Sequence, residues 1–516
     1  MKTLDSLLNS IPIITRFGEY DQLFPVKGLA YHSGKVAPGY LFIAIKGYKT
    51  DGHRYLPEAA RRGALAAVVE ELQPQLPLPQ FQVADSRRAL AALADTFYDH
   101  PSQKLTVIGL TASNGKTTTA FMTNAVLEEQ GLKTGLLGTV IMKIGNRIRP
   151  AQLTTPESLD LQAHFHRMVE ESVGWAIMEV SSAGLELHRV DRVEYDIVAI
   201  NNISREHIDF HGSFDSYFQT KAALVRERRP DQWALFNLDC PYSASLVHES
   251  PARKMTYGLK AVGGDFQIRN LDLSTGRARF TAELTRPLTL SPRKTLAPQS
   301  IPLELAVPGL HSVYNSMIAL MVGLLCGVPV NTIRRALKKF KGVERRFELI
   351  FEHDFKVIDD HFANSGNIDV TLETLKYMDY RRLHLVYALR GGRGTTVSRE
   401  SAETLSKWAP ALGLTRVITT SSRSHVEEKD RVTAAERRAF FHVLEQAQIK
   451  IDHHEELPPA IAQGLTQTRP GDILLLAGCQ GMDPGAKIAL EAIHHRHPEL
   501  KRELVFSALQ NRVAGI

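Results

Sequence analysis

Short apolar runs recur along the chain, and most are followed by stretches whose apolar positions repeat at helical spacing. Residues 105–110, 175–180, 197–200 and 233–237 are such runs, rich in β-branched and aromatic side chains. Together with the helical patterns between them, including 120–130, they predict a parallel sheet covered by helices on both faces. Upstream, 40–45 reads as a strand, 56–63 as a helix and 64–70 as a buried strand. Between 260 and 308 the pattern changes. Pro and Thr become frequent and polarity alternates, as over 277–284, which predicts an antiparallel insertion. A new alternation begins near residue 342, with strands expected at 355–359, 383–388, 417–420 and 472–477. The apolar segment 317–328 is too short to span a bilayer and reads as a buried helix. These shifts divide the chain into three sections, 1–100, 101–341 and 342–516, all of α/β character. Three is about the number of domains that 516 residues support.

Between the run 105–110 and its helix lies Thr111-Ala112-Ser113-Asn114-Gly115-Lys116-Thr117-Thr118-Thr119. A small-residue turn joining strand to helix and ending in Gly-Lys-Thr aims backbone N–H groups at an anion, and the helix N-terminus adds a positive field. Lys116 would reach the β- and γ-phosphates of ATP, and the Thr117 hydroxyl would ligate Mg²⁺. The general form of such a loop has glycine where this chain has Leu110. An ordinary strand-to-helix turn with a solvated lysine is the alternative, and the strand before and helix after favour the phosphate loop. A nucleotide loop also needs a metal site. Glu179 ends the apolar run 175–180, at the strand end where open α/β sheets bind ligands; a solvated carboxylate is the alternative there. Downstream, His207 and His211 stand four apart, a zinc spacing if they lie on a helix. Gly212 and the preceding strand predict a loop instead.

Composition narrows the class. Hydrophobic residues make up 43% and charged residues 23%, as in a soluble globular protein. The net charge of +6 suits anionic small molecules, and with no long basic run it gives no case for nucleic acid. Three scattered cysteines, Cys240, Cys326 and Cys479, argue against a disulfide framework and for a reducing compartment. Residues 1–14 lack a basic stretch followed by an apolar core, so a cytoplasmic protein without a membrane partner is expected.

With these residues in view, the chain resembles the Mur ligase family over nearly its whole length. These are ATP-dependent amide-bond-forming ligases of peptidoglycan precursor synthesis. The likeness is strongest to the branch that adds the third stem-peptide residue to UDP-N-acetylmuramoyl-L-alanyl-D-glutamate. It implies a three-domain α/β architecture: a UDP-substrate-binding domain, a central P-loop parallel-sheet ATPase domain, and a C-terminal Rossmann-like domain for the amino acid and ATP. It implies ATP phosphates on Gly115, Lys116, Thr117 and Thr118, and Mg²⁺ on Thr117, Glu179, His207 and Lys221. Lys116, Lys221 and His207 take the catalytic roles, and Lys221 matches a lysine that the family carries as N6-carboxylysine. Asn315 matches an adenine contact, and Arg346 and Asp360 match ATP contacts of the third domain. Ser33, opening a stretch similar to the family's uridine-nucleotide segment, and Thr154, Thr155, Ser181 and Arg189 match residues that hold the muramoyl peptide. A monomer with small-molecule substrates is implied.

Several positions depart from the family pattern. Ala112-Ser113 stands where Gly-Thr is usual, Glu206 where Asp precedes the histidine, Ala183 where His is common, and Gly34 where Arg follows Ser33. The third section departs most. Thr420-Ser421-Ser422-Arg423 replaces Asp-Asn-Pro-Arg, and Gly478-Cys479-Gln480-Gly481-Met482-Asp483 replaces Gly-Lys-Gly-His-Glu. Those elements recognise the incoming amino acid, so a changed set implies a changed amine or none. Arg390, Arg393 and Arg423 would bind an anionic amine or be solvated. Two other readings stay open: a Mur-like ligase of another pathway, such as polyglutamate or specialised peptide synthesis, and a non-catalytic nucleotide-binding homologue.

Overall fold

The computed structural model describes residues 2–47, 50–204, 208–273, 277–510 and 512. Its centre is an 11-stranded sheet. Strands Thr134–Leu137, Trp175–Glu179, Thr106–Thr111, Ile197–Ile200, Trp233–Asn237, Arg253–Gly258 and Phe266–Asp272 run parallel in that spatial order. Each edge is extended by antiparallel strands: Ile141–Ile144 with Arg147–Pro150 at one end, Arg279–Leu284 with Gln299–Glu304 at the other. The inner strands are buried on both faces, which is why they read as continuous apolar runs rather than alternating ones. One face packs on helices Lys116–Glu129 and Leu310–Leu325, the other on Ser158–Glu170 and Phe214–Arg226. The helix expected near 317–328 thus begins earlier, at Leu310, and is almost wholly buried.

Two smaller sheets flank this centre. Residues 15–82 form five strands in the order Thr15–Phe17, Gln80–Gln82, Ala66–Val69, Tyr40–Ile43, Gly28–Ala30, parallel except for the first. Residues 348–478 form six, ordered Glu348–Glu352, Lys356–Asp360, Ile473–Gly478, Leu383–Ala388, Arg416–Thr420, Lys450–His454, parallel except for the first. The chain crosses between these bodies through polar contacts. Tyr31 donates to Asp160 Oδ2 at 2.6 Å, and Arg87 lies 3.3 Å from Glu157.

One expectation fails locally. Residues 202–212 read as loop, yet Ile208–His211 is a single helical turn, closed by Gly212 at φ +74° before helix Phe214–Arg226 starts. His207 lies outside the described residues. No helix among the described residues is long and apolar enough to cross a membrane.

Candidate functional site

A cavity of about 580 Å³ opens at the C-terminal ends of the central parallel strands, where it is closed from above by the third section. Gly115, Lys116, Thr117 and Thr118 line it on one side, Arg346 and Asp360 on the other, and Thr154, Thr155, Ser181 and Arg189 at one end. Three helix N-termini meet it. Lys116–Glu129 begins in its wall, Leu310–Leu325 contributes His311, and Ser365–Lys376 contributes Asn364 and Asn367. Each carries unsatisfied N–H groups and the positive end of a helix dipole, so the cavity favours a polyanion.

The loop itself is tightly specified. Gly115 caps its helix at φ +89°, and a Cβ there would lie 2.6 Å from Asn315 Oδ1, so both backbone and space demand glycine. Ala112 is not among the positive-φ residues and its methyl group is buried, so the alanine fits where glycine is usual. Lys116 Nζ donates to the carbonyls of Ala112 at 2.8 Å and Ser113 at 3.1 Å. Asn202, just beyond strand Ile197–Ile200, clamps Asn114 from both sides. Its Oδ1 accepts from Asn114 N at 2.9 Å and its Nδ2 donates to Asn114 O at 2.8 Å. Ser113 Oγ lies 2.8 Å from Tyr217 OH and accepts from Ser204 N at 2.9 Å. Asn202 was passed over in the sequence, where its one signal was a polar residue at the end of a buried strand.

Glu179 is fully buried and gathers hydroxyls. Thr117 Oγ1 donates to its Oε2 at 2.9 Å, Thr139 Oγ1 to the same oxygen at 3.0 Å, and Thr139 N to Oε1 at 2.8 Å. Gly138 makes room, since a Cβ there would meet Glu179 Oε1 at 2.3 Å. Among the described residues Glu179 has no cationic partner, and no cluster of three His, Cys, Asp or Glu groups occurs. A buried carboxylate beside a threonine hydroxyl, both facing a polyanion site, is still an oxygen donor set that fits Mg²⁺. That ion keeps waters and phosphates in its shell and needs only one or two protein carboxylates.

Lys221 lies behind the loop on helix Phe214–Arg226, 1% exposed and 5.1 Å above the Tyr217 ring. Its Nζ donates to Thr111 Oγ1 and to Ala112 O, both at 3.0 Å. Lys116 and Lys221 therefore share the Ala112 carbonyl.

At the end of the cavity Thr155 organises its neighbours. Its Oγ1 donates to Glu179 O at 3.0 Å and accepts from Ser181 N at 3.0 Å. Arg189 Nη1 donates to Thr155 O at 3.1 Å and Nη2 pairs with Glu157 at 2.8 Å. Its Nε is buried with no hydrogen-bond partner among the described residues. Thr154 Oγ1 stands 3.1 Å from Thr139 Oγ1. Ser33 is not brought to this cavity. It lies in the first section, where its hydroxyl donates to Glu58 Oε2 at 2.8 Å and, with Arg62, holds that carboxyl below its usual range.

The third-section wall is charged. Burial raises the pKa of Asp360, although Thr371, the backbone of Phe347 and His361, and the charge of Arg346 pull the other way. Burial, aided by Arg346, Arg345 and Arg390, holds the His361 imidazole well below its ordinary value. His311 faces this wall from the central side, its Nδ1 3.3 Å from Thr374 Oγ1, and burial lowers its pKa to about 4. Asn367 Nδ2 donates to Asn114 Oδ1 at 2.6 Å, a direct bond from the third section to the phosphate loop. Asn315 does not line the cavity. It is buried beneath Gly115, where its Oδ1 accepts from Thr119 at 3.1 Å and Asn201 at 2.8 Å. Of the three arginines weighed in the sequence, Arg390 donates to Ala363 O, Arg393 lies 3.9 Å from Asp430, and Arg423 lines a separate cavity of about 370 Å³ with Arg431 and Arg437.

Known proteins resemble this chain over most of its length. Family models match three segments: the Mur ligase family catalytic domain at residues 25–98, the Mur ligase middle domain at 110–323, and the Mur ligase glutamate ligase domain at 345–480. A UDP-N-acetylmuramoyl-L-alanyl-D-glutamate–2,6-diaminopimelate ligase of Caldanaerobacter subterraneus is 34% identical over 458 residues, 88% of this chain and 89% of that protein. A solved ligase of the same name superposes with a TM-score of 0.67 at 21% identity, covering 96% of this chain and 99% of the other. The MurF ligase of Thermotoga maritima, solved with ADP, gives 0.62 at 20% identity over 92% and 98%. The chain belongs to the Mur ligase family.

Proposed function

We propose that this protein is an ATP-dependent ligase that adds an amino acid to a UDP-N-acetylmuramoyl peptide, in the cytoplasm. The observation that carries the reading is the single cavity in which the phosphate loop, the buried Glu179, the Thr155–Ser181–Arg189 end and the Arg346–Asp360 wall all meet. The relatives named for the same reaction support it. We divide the chain at about residues 100 and 341 into parts for the uridine nucleotide, the ATP and the amino acid.

On this reading the peptide carboxylate, held at the Thr154–Arg189 end, attacks the γ-phosphate of ATP and forms an acyl phosphate. The amine then attacks the acyl carbon, and phosphate leaves. Lys116 swings from its loop carbonyls to the transferring phosphate, and the three helix N-termini hold the rest of the charge. Thr117 and Glu179, with His207, would hold Mg²⁺, which supplies charge neutralisation at the phosphates. Positioning does most of the remaining work. Lys221 is assigned as N6-carboxylysine. Two ammonium groups on one carbonyl repel each other, whereas CO₂ uptake by Lys221, with loss of two protons from the ammonium nitrogen, turns it into a carbamate anion.

The amine is left to experiment, because Thr420–Arg423 and Gly478–Asp483 differ from the diaminopimelate-adding pattern. The test is ADP release by purified protein with Mg²⁺ and ATP, across a panel of UDP-muramoyl acceptors and amino acids. Acceptor-dependent ADP from at least one pair is expected; none from any pair sinks the reading.

A further inference from the structure

The strand pair that opens the third section carries a buried ionic cluster used by none of the roles above. Glu348 and Asp359 are directly opposite in the antiparallel register of Glu348–Glu352 and Lys356–Asp360. Like charges at such a pair repel, and Asp359 is fully buried. Arg512, which follows the turn Ser507–Leu509, enters between them with its side chain 1% exposed. Its Nη2 donates to Asp359 Oδ2 at 2.7 Å and also to Glu348. Burial raises the pKa of Glu348, with the Arg512 charge opposing.

The same two carboxylates hold Arg345. Its backbone N donates to Glu348 Oε2 at 2.9 Å and its Nε lies 3.5 Å from Asp359 Oδ1. Its guanidinium goes on to Asp483 and to the carbonyls of Gly478 at 2.5 Å and Cys479 at 3.1 Å. Arg345 at φ +55° and Phe347 at φ +51° are both in the left-handed region, one on each side of Arg346. Bulky residues stay there only where the surroundings over-determine them. Arg346, Phe347, Asp360 and His361 all line the cavity, and Phe347 N donates to Asp360 Oδ1 at 3.1 Å.

We propose that Arg512 is a positioning residue for the nucleotide wall: by bridging Glu348 and Asp359 it fixes the left-handed turn 345–347 and, through it, Arg346 and Asp360. The inference rests on reading the cavity as the nucleotide site, so its test uses a readout that needs no acceptor. ADP binding with Mg²⁺ is measured by calorimetry on the full chain as wild type, Arg512→Ala and Arg512→Lys. Arg512→Ala is expected to weaken ADP about tenfold and to raise the KM for ATP, with kcat at saturating ATP changing much less. Arg512→Lys, which keeps the charge and loses the fork, should fall between. Millimolar guanidinium should restore part of the Arg512→Ala affinity, which a loss of folding alone would not allow. If Arg512→Ala does not fold, Arg512→Lys carries the test and must still weaken ADP. Equal affinity in wild type and folded variants overturns the proposal, as does a loss that guanidinium and lysine both fail to relieve. A wild type that binds no ADP overturns the nucleotide reading itself.

Discussion

On the central side of the cavity, the phosphate loop and the carboxylate beside it are held by neutral partners. Glu179 is bonded by threonine hydroxyls and one amide, Asn114 by the Asn202 carboxamide, and Ser113 by Tyr217. On the third-section side, Arg345 and Arg512 interlock with Glu348, Asp359 and Asp483. The difference bears on what each wall does. A buried carboxylate that has only neutral donors keeps its charge for a cation that arrives with the ligand. Charges already paired with one another have little left for a ligand, and they hold backbone instead. The central wall is therefore the place to look for chemistry, and the opposite wall for placement.

The largest effects should come from breaking the central wall. Lys116→Ala is expected to lower kcat by roughly 10²–10³-fold or more, the loss typical of removing one group that meets transition-state charge. Lys221→Ala should lose activity comparably, and short carboxylates should restore part of it by standing in for the carbamate proposed on that lysine. Acceptor-dependent ADP release measures both. Full activity in either variant contradicts the role given to that lysine.

This asymmetry also explains what was legible in the sequence. Parallel strands buried on both faces announce themselves as apolar runs, so Ile197–Ile200, Trp233–Asn237 and Leu383–Ala388 were read to the residue. The phosphate loop was legible because glycine, lysine and threonine at fixed spacing have few other reasons to occur together. Thr139, Asn202 and Asn367 were not, because a hydroxyl or carboxamide carries no signal until the fold shows what it touches. The turn Ile208–His211 was missed because four residues are too few for a helical period. The cluster around Arg512 was hidden for a related reason: Glu348 and Asp359 meet only through strand register, and Arg512 reaches them from more than 150 positions away.

A smaller effect should follow from loosening the two walls without touching either charge set. Asn367→Ala removes the 2.6 Å bond to Asn114 and leaves the loop's clamp by Asn202 in place. A neutral hydrogen bond of this kind contributes about 1 kcal/mol. The KM for ATP should therefore rise about fivefold, with kcat nearly unchanged. A fall in kcat alongside an unaltered KM would show that the third section contributes to the chemistry itself and would blur the contrast drawn above.

The finest test is the pH dependence of stability, because His311 belongs to one wall and faces the other across Thr374. Burial holds its imidazole at about 4, below the 6.5 of an unperturbed histidine. Between those values the unfolded chain binds a proton that the folded chain refuses, so this contribution is fully present above pH 6.5 and is lost as pH falls towards 4. His361, lowered by burial and by three arginines, acts in the same direction. Asp360 and Glu348, raised by burial, act in the opposite one, since the folded chain takes up their protons more readily. The net curve mixes these terms, and the comparison with His311→Asn isolates one. At pH 5 the wild type should have lost roughly 1–2 kcal/mol through His311 that the variant does not lose. Thermal unfolding of both proteins at pH 7, 6 and 5 measures it. Converging curves on acidification place a neutral imidazole in the cleft, and parallel curves would mean that the cleft opens enough to hydrate it.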